Sequence, residues 1–453
     1  MAWPCLLTAG LRPTRVSGSG GPVLEGPGGG VSGGPLYPCL RLKPGREFPL
    51  LAGHPWVFGG GVSSAPDCAS GALVEVLSSA GDFIGCATFH PANTIRARML
   101  SRERVAVDGD FFRRRFAVLY KEKNSLLPPG TDGFRLVHAD ADFLPGLVVD
   151  LYGKTAVFQF HTAGMEGFRK IIVEALWGMG GRGGAERGEG TEGAGGPVCI
   201  SCVVERSDVD ARLKEGLKKR PAEIHSGEVS CPAAFREAGL LMYADVLSGQ
   251  KTGFFLDQRD ARIWVRAAAR GRRVLNLFSY TGAFGLAAAS GGAATVLNVD
   301  VSEGALELGR RIFAENGFSG GEGCSARFEA ADVFDYIEAE KGALRDFLRG
   351  GLLVCDPPAF AKSVSHLEQA KKAYARLNRL CFELLSPGAL FVTSSCSAVL
   401  GSDDFMAVLR TAAGRAGRRA RVLALLSQPA DHTSLLAFPE GPYLKTCALE
   451  IVE

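Results

Sequence analysis

A chain of 453 residues with 46% hydrophobic and 22% charged side chains is too long for one ordinary core and calls for two or three domains. A formal net charge of +3 excludes nucleic-acid affinity as a property of the whole surface, so any such affinity must come from local basic clusters. No apolar run approaches the roughly 18–20 residues that a membrane-spanning helix needs. Twelve cysteines in so long a chain do not make a disulfide scaffold. Several (Cys86, Cys355, Cys381, Cys447) sit inside apolar runs as small hydrophobes, which points to a reducing compartment. Cys199-Ile-Ser-Cys202 has metal-pair spacing, but no second CxxC or HxxxH follows, so no metal site is expected.

Residues 1–38 carry two arginines, one acid and many glycines. A disordered extension is expected there, with an organelle-targeting segment as the alternative. The compartment is accordingly the cytoplasm, or a mitochondrion or plastid if 1–38 is a transit peptide. Residues 39–108 hold short strands at Leu40–Lys43, Leu73–Leu77, Phe83–Phe89 and Ile95–Leu100, spaced as in a small β-barrel or sandwich. Residues 109–240 mix helices (Asp110–Asn124, Phe168–Trp177) with strands (Leu147–Leu151, Ala156–Phe160), an α+β pattern broken by a Gly- and Glu-rich insertion at 178–197. From 241 to 453 strand and helix alternate: Arg273–Phe278, Ala283–Ser290, Thr295–Val299, Ser302–Asn316 and onward. That is the signature of a parallel sheet. Gly317–Gly323 reads as a loop, and Asp403–Arg415 as a helix. The last two strands, Arg421–Leu426 and Thr446–Val452, need no helix between them and are expected to pair antiparallel.

Asp300, Asp332, Asp356 and Cys396 each end one of these apolar runs, at intervals of 24 to 40 residues. In a parallel sheet they gather along one edge, where ligands bind. The loop Ser279-Tyr-Thr-Gly282 lets a ligand approach the backbone at a helix N-terminus. It lacks GxGxxG, so it suits a cofactor with a carboxylate and an amine better than a pyrophosphate. Asp300 is placed to accept from ribose hydroxyls and Asp332 from an adenine amine, although a strand-end Asp is by itself most often a helix N-cap. Asp356-Pro-Pro is a rigid turn facing the same crevice. Cys396, flanked by serines, has an open polar setting; no His adjoins it in sequence, though His432 could approach in space. Lys251-Thr-Gly-Phe-Phe-Leu-Asp-Gln-Arg either lines a pocket or begins a linking helix, and periodicity does not choose.

Taken together, Lys251-Thr-Gly-Phe-Phe-Leu-Asp-Gln-Arg-Asp, Leu275-Asn-Leu-Phe-Ser-Tyr-Thr-Gly, Asp300, Asp332-Val-Phe, Asp356-Pro-Pro-Ala-Phe and Ser395-Cys-Ser resemble the bacterial-type large-subunit rRNA (cytosine-C5) methyltransferases. His54-Pro-Trp-Val-Phe and Ile95-Arg-Ala-Arg resemble the PUA domain of those enzymes. Leu144-Pro-Gly-Leu and Glu205-Arg-Ser-Asp resemble their central domain, and Asp431-His and Phe438-Pro-Glu-Gly-Pro-Tyr-Leu-Lys their C-terminus. The likeness spans about residues 40–453. It implies an N-terminal PUA-like β-barrel (39–108), a central α+β domain (109–240) and a class I, Rossmann-like α/β methyltransferase domain (241–453).

The resemblance further implies S-adenosylmethionine as cofactor, held by Gln258, Phe278, Tyr280, Thr281, Gly282, Asp300, Ser302, Asp332 and Val333. It implies RNA, in particular rRNA, as partner, and no membrane. Cys396 would add to C6 of a cytosine that has left its stack, with Asp356, if protonated, donating to N3. Phe360 or Tyr443 could hold the base. Phosphate contacts are expected from Arg96 and Arg98, from Lys371 and Lys372 (with Arg376 and Arg379 on the same helix), and from Arg113-Arg114-Arg115. Two other readings stay open: a methyltransferase for an exocyclic base nitrogen with Cys396 structural, and a non-catalytic RNA-binding or assembly protein.

Overall fold

The computed structural model of the chain describes residues 34–180, 199–318, 324–361 and 363–453. The extension expected at 1–38 falls almost wholly outside these residues, as do most of the insertion at 178–197 and of the Gly317–Gly323 loop.

Residues 39–101 form a six-stranded sheet containing all four expected strands. Two further strands, Trp56–Phe58 and Val62–Ser64, are only three residues long, too short for the alternation that marks a strand in sequence. A five-stranded sheet follows, in the order Glu223–Gly227, Cys202–Glu205, Thr155–Phe160, Leu147–Tyr152, Gly133–His138. Helices Gly109–Asn124 and Arg169–Gly178 cover it through Phe112, Phe116, Ile172 and Leu176. Cys202 is buried in its strand while Cys199 is exposed. Among the described residues Glu205, Glu223 and His225 come close enough to share a metal ion, but Glu205 already carries Arg169 and His225.

The C-terminal part begins with α1 (Arg259–Ala268), after which strands and helices alternate. β1 (Arg273–Leu277), α2 (Ala283–Ser290), β2 (Thr295–Asp300), α3 (Glu303–Glu315) and β3 (Ser325–Ala330) come first. Helices α4 (Val333–Ala339) and α5 (Lys341–Phe347) lead to β4 (Leu352–Cys355). Next come α6 (Leu367–Leu384), β5 (Leu390–Ser395), α7 (Ser402–Arg415), β6 (Ala420–Leu426) and β7 (Lys445–Ile451). The sheet order is β3-β2-β1-β4-β5-β7-β6, parallel except for β7, which runs antiparallel to both β5 and β6. The pairing expected for the last two strands is therefore present.

Both faces of the central strands of this sheet are covered, which explains their short runs rich in Val and Leu. Val274, Val296, Leu352, Val354 and Val392 point to the side of Ala261, Val265 and Leu286 on α1 and α2. Leu275, Leu277, Leu297, Leu353 and Phe391 point to Tyr374, Leu377, Cys381 and Phe405 on α6 and α7. Each such side chain contributes roughly 1.5–3 kcal/mol by leaving water. The connection from β3 crosses to β4 on the far side of β1, so the sheet reverses between β1 and β4. The crevice at the carboxyl ends of those strands is where a ligand is expected to bind.

The described chain from Leu36 to Glu453 is one compact unit. The central and C-terminal sheets are joined through a buried ion pair. Arg259 donates to Asp431 Oδ1 (2.8 Å), Asp431 Oδ2 (3.2 Å) and the carbonyl of Gly133 (2.8 Å). Asp431 Oδ2 also accepts the Arg135 backbone N–H at 2.8 Å. Both charges are almost wholly shielded from solvent, so neither tolerates loss of the other. Arg259→Met should cost about 3–5 kcal/mol in urea unfolding, because Asp431 is left buried and unpaired. A loss under 1 kcal/mol would show that the pair does not join the two sheets.

Candidate active site

The loop after β1 is bent by three residues in the left-handed region: Phe278 (φ 56°), Tyr280 (φ 50°) and Gly282 (φ 78°). Left-handed backbone is costly at the two aromatic positions and is characteristically kept at ligand clamps. A Cβ on Gly282 would stand 3.2 Å from Phe313 and 3.4 Å from Asn298 Oδ1, so the helix α2 starts tight against the sheet. One turn on, a Cβ at Gly285 would meet Asn298 Oδ1 at 2.3 Å. Asn298 is itself held by its register partner Asn276, whose Nδ2 donates to it at 2.9 Å.

Asp300 braces this loop: its Oδ2 accepts the Tyr280 N–H (2.8 Å) and its Oδ1 the Ser302 N–H (2.9 Å). Each oxygen keeps a further lone pair for a ligand. Ser302 caps α3 through its hydroxyl, which accepts from Ala305 N. Asp332 is the N-cap of α4: Oδ1 accepts from Phe334 N (2.8 Å) and Asp335 N (3.2 Å), leaving Oδ2 uncommitted on an exposed side chain. Val333 beside it is buried. Two polar atoms of the loop, Ser279 Oγ and Thr281 Oγ1, and one across the crevice, Gln258 Oε1, are buried with no hydrogen-bond partner among the described residues. Such atoms call for a partner from elsewhere. A glycine cradle, a braced carboxylate and orphaned polar atoms together fit a polar, ribose-bearing cofactor.

Gln258 does not sit in the glycine loop. It lies across the crevice, where its Nε2 donates to Asp356 Oδ1 at 2.7 Å. Next to it Asp257 is buried and receives Lys251 Nζ (2.6 Å) and Tyr443 Oη (2.7 Å) on Oδ2. Burial pushes Asp257 up, but the Lys251 ammonium, His432 and the hydrogen bonds from Lys251 and Tyr443 together outweigh it and hold the carboxyl well below its ordinary range. Among the described residues no cation is in contact with Asp356. Burial, and then the charge of Asp257, push it up to about 7. Cys396 follows: burial first, and then Asp356, push its thiol up to about 11, with Lys251 pulling the other way. Asp356 and Cys396 each keep part of their surface in the crevice.

The loop bearing Cys396 is fixed by Ser397. The Ser397 hydroxyl meets Tyr374 Oη (3.3 Å) and accepts from Ala361 N (3.4 Å), and its carbonyl accepts from Lys445 Nζ at 2.6 Å. Lys445 stands opposite Ser395 in the β5–β7 ladder and also donates to the Tyr443 carbonyl at 2.8 Å. Burial lowers its ammonium to about 8, against the pull of Cys396. Sequence reasoning missed Asp257, Lys251, Tyr443 and Lys445 as a group. The Lys251 segment does both things it could have done: Lys251–Asp257 lines the crevice, and Arg259 opens α1. His432 packs at a tilt of 55° against His138 (centroids 5.3 Å apart), and the strongest charged neighbours of the thiol are Asp356, Lys251 and Asp257.

The basic residues divide. Arg98 is committed internally, to Asp140 (3.3 Å), to Glu215 (3.4 Å) and over the Trp56 ring. Lys371 pairs with Glu368 (3.1 Å) and Asp404 (3.0 Å). Arg96 donates to the His90 carbonyl at 3.5 Å and lies against Gly59. Lys372 is exposed, with no carboxylate within 4 Å among the described residues. It lines a groove of about 800 Å³ between α6 and α7, with Arg376, Arg379 and Arg415.

A carboxyl raised in the folded state binds its proton more tightly there than in the unfolded chain. Stability therefore falls as pH rises from about 4 to 7, and the penalty is complete above 7. Asp356→Asn should raise stability at pH 8 by on the order of 2 kcal/mol and change it little at pH 4. In the same variant Cys396 should react faster with iodoacetamide at pH 8, since the charge raising its pKa is gone. Slower alkylation together with a lower melting temperature at pH 8 would contradict this electrostatic coupling.

Comparison with known proteins agrees with this geometry. Residues 217–431 match the family of S-adenosylmethionine-dependent methyltransferases, and residues 40–102 match a PUA-like domain. The protein named Ribosomal RNA large subunit methyltransferase I from Aeromonas salmonicida (strain A449) is 38% identical over 411 residues, covering 90% of this chain and 97% of that protein. Its namesake from Shewanella amazonensis (strain ATCC BAA-1098 / SB2B) is 37% identical over 409 residues, with the same coverage. A solved S-adenosylmethionine-dependent methyltransferase from Streptococcus mutans shares the fold at a TM-score of 0.71 and 24% identity, over 91% of this chain and all of that one. A methyltransferase solved with SAH aligns over the same spans at 0.73 and 24% identity. With a glycine cradle and orphaned polar atoms at the β1 loop, and relatives this similar along nearly their whole length, the chain belongs to the ribosomal RNA large subunit methyltransferase I family of S-adenosylmethionine-dependent methyltransferases.

Proposed function

We propose that this chain methylates C5 of a cytosine in large-subunit rRNA through a covalent adduct on Cys396. The observation that carries the reading is the pairing of Cys396 with a carboxyl, Asp356, held near neutrality at the next strand end. Asp300 takes the ribose of the cofactor, Asp332 Oδ2 its adenine amine, and Ser279, Thr281 and Gly282 its amino-acid end. Bound there, S-adenosylmethionine supplies an electrophilic methyl group.

The cytosine leaves its stack to enter the crevice. Cys396 gives up its thiol proton to solvent, the thiolate sulfur bonds to C6 and the C5–C6 π pair moves to C5, which is then nucleophilic enough to be methylated. Protonated Asp356 donates to N3, where charge builds as sulfur adds. Gln258 orients Asp356 by binding its other oxygen. The C5 proton passes to a base, the C6–S bond breaks, and the double bond re-forms. Lys251 and Lys445 are the cations that favour the thiolate. Lys372 and Arg96 are the candidates for phosphate contact, whereas Arg98, Lys371, Arg376 and Arg379 already pair with acids. The free, mostly buried cysteines suit a reducing compartment such as the cytoplasm.

An rRNA transcript containing 5-fluorocytosine cannot release the C5 substituent, so wild-type protein should form a denaturation-resistant RNA adduct that maps to Cys396. Cys396→Ala should form none and lose at least about 10³-fold in methyl transfer. Near wild-type transfer by Cys396→Ala would exclude the covalent route and favour an exocyclic nitrogen as acceptor. Asp300→Ala should weaken S-adenosylmethionine binding by about tenfold or more in calorimetry. Unchanged affinity would remove Asp300 from the cofactor site.

A further inference from the structure

Residues 432–443 form a loop that the chemistry above does not use. Both of its ends lie at the crevice. The His432 ring is 5.3 Å from His138, and the Tyr443 ring stacks on the same imidazole at 6.3 Å with a 27° tilt. Tyr443 Oη donates to Asp257, one of the charged groups acting on Asp356 and Cys396. A loop whose ends meet and whose interior is packed by its own side chains is a rigid unit.

Gln428 pins it from within. Its Nε2 donates to Ser434 Oγ (3.1 Å) and to the Gly441 carbonyl (3.4 Å), while its Oε1 accepts from Tyr443 N and Leu444 N (3.4 Å each). Two turn bonds, Phe438 N to Leu435 O and Gly441 N to Phe438 O, both 3.0 Å, fix its course. One flank is anchored to the N-terminal sheet, where the buried Phe438 ring packs 4.7 Å from Trp56 and 5.5 Å from His54. The other begins at Thr433, whose hydroxyl donates to Asp142 at 2.9 Å.

From this frame Leu436 projects with a relative exposure of 106%, against 76% for the next most exposed large apolar residue, Val301. A single exposed leucine is ordinary on a protein surface. On a pinned loop whose two ends contact His138 and Asp257 beside a base-modifying crevice it has a specific use. A base that leaves its stack vacates a slot between its neighbours, and apolar side chains such as Leu fill such slots in nucleic acid. We propose that Leu436 is a wedge that enters the RNA stack as the target base swings into the crevice. It is a positioning residue, touching the neighbours of the acceptor base and not the reacting atoms. The inference rests on the acceptor being an RNA base withdrawn from its stack, and not on the covalent role of Cys396.

The test is single-turnover methyl transfer by wild type, Leu436→Ser and Leu436→Met, with radiolabelled S-adenosylmethionine counted at any atom. The acceptors are a folded large-subunit rRNA transcript and an unstructured fragment bearing the same target. Leu436→Ser should keep the wild-type melting temperature, lose about tenfold or more in rate on the folded transcript, and lose less than about threefold on the fragment. Leu436→Met should restore the rate on the folded transcript. Equal losses on both acceptors, or none on the folded one, would overturn the wedge. If Cys396 proves dispensable, the Leu436 comparison still reads, because methyl transfer at any position is counted. Absence of transfer by wild type to either RNA would overturn the underlying reading and the wedge with it.

Discussion

Two carboxylates share the crevice, and only one of them carries a cation. Lys251 and Tyr443 both bind Asp257 Oδ2, so Asp257 stays ionised although it is buried. That fixed negative charge is felt by Asp356, which has an amide from Gln258 and no cation in contact. A second ionised carboxylate there would be both desolvated and repelled, so Asp356 keeps its proton to near neutrality. The same charges raise the thiol of Cys396. Burial and this asymmetric ion pair thus together set the protonation of the two groups that would meet the substrate.

The asymmetry is made by chain segments far apart in sequence. Lys251 and Asp257 precede α1, Asp356 ends β4, Cys396 follows β5, and Tyr443 and Lys445 arrive with β7. What holds these segments to one another is the Arg259–Asp431 pair, together with the hydrogen bonds of Asp431 to Arg135 and of Thr433 to Asp142. The central sheet thus reaches the crevice, because His138 on its edge strand packs against both His432 and Tyr443. The N-terminal sheet reaches the same region through Trp56 and Phe438.

Much of the C-terminal fold was legible because parallel strands buried on both faces are written as short Val/Leu runs, and their ends are marked by Asp300, Asp332, Asp356 and Cys396. Strands of three residues, such as Trp56–Phe58, were not legible, since they carry no periodicity. Site residues at strand ends could be read, because topology alone gathers them. Asp332 shows the limit of that argument: it is an N-cap, as an isolated strand-end Asp usually is, with one oxygen to spare. Asp257 and Tyr443 stood in segments that the sequence marked for the pocket, but their pairing, and the place of Lys445 beside the Cys396 loop, come from burial and from partners up to 186 positions away. The basic clusters looked alike in sequence, and only three-dimensional pairing separates Arg98 and Lys371, already neutralised by acids, from Lys372.

The claim on which the rest depends is that burial and the charge of Asp257 together hold Asp356 protonated near neutral pH. It is tested most directly by titrating the Asp356 carboxyl by NMR, with carboxyl-labelled aspartate and Asp356→Asn for assignment, in wild type and in Asp257→Asn. The account predicts a midpoint near 7 in wild type, moving clearly downward when the neighbouring charge is removed. A wild-type midpoint in the ordinary carboxylate range, or one that Asp257→Asn leaves in place, would contradict it.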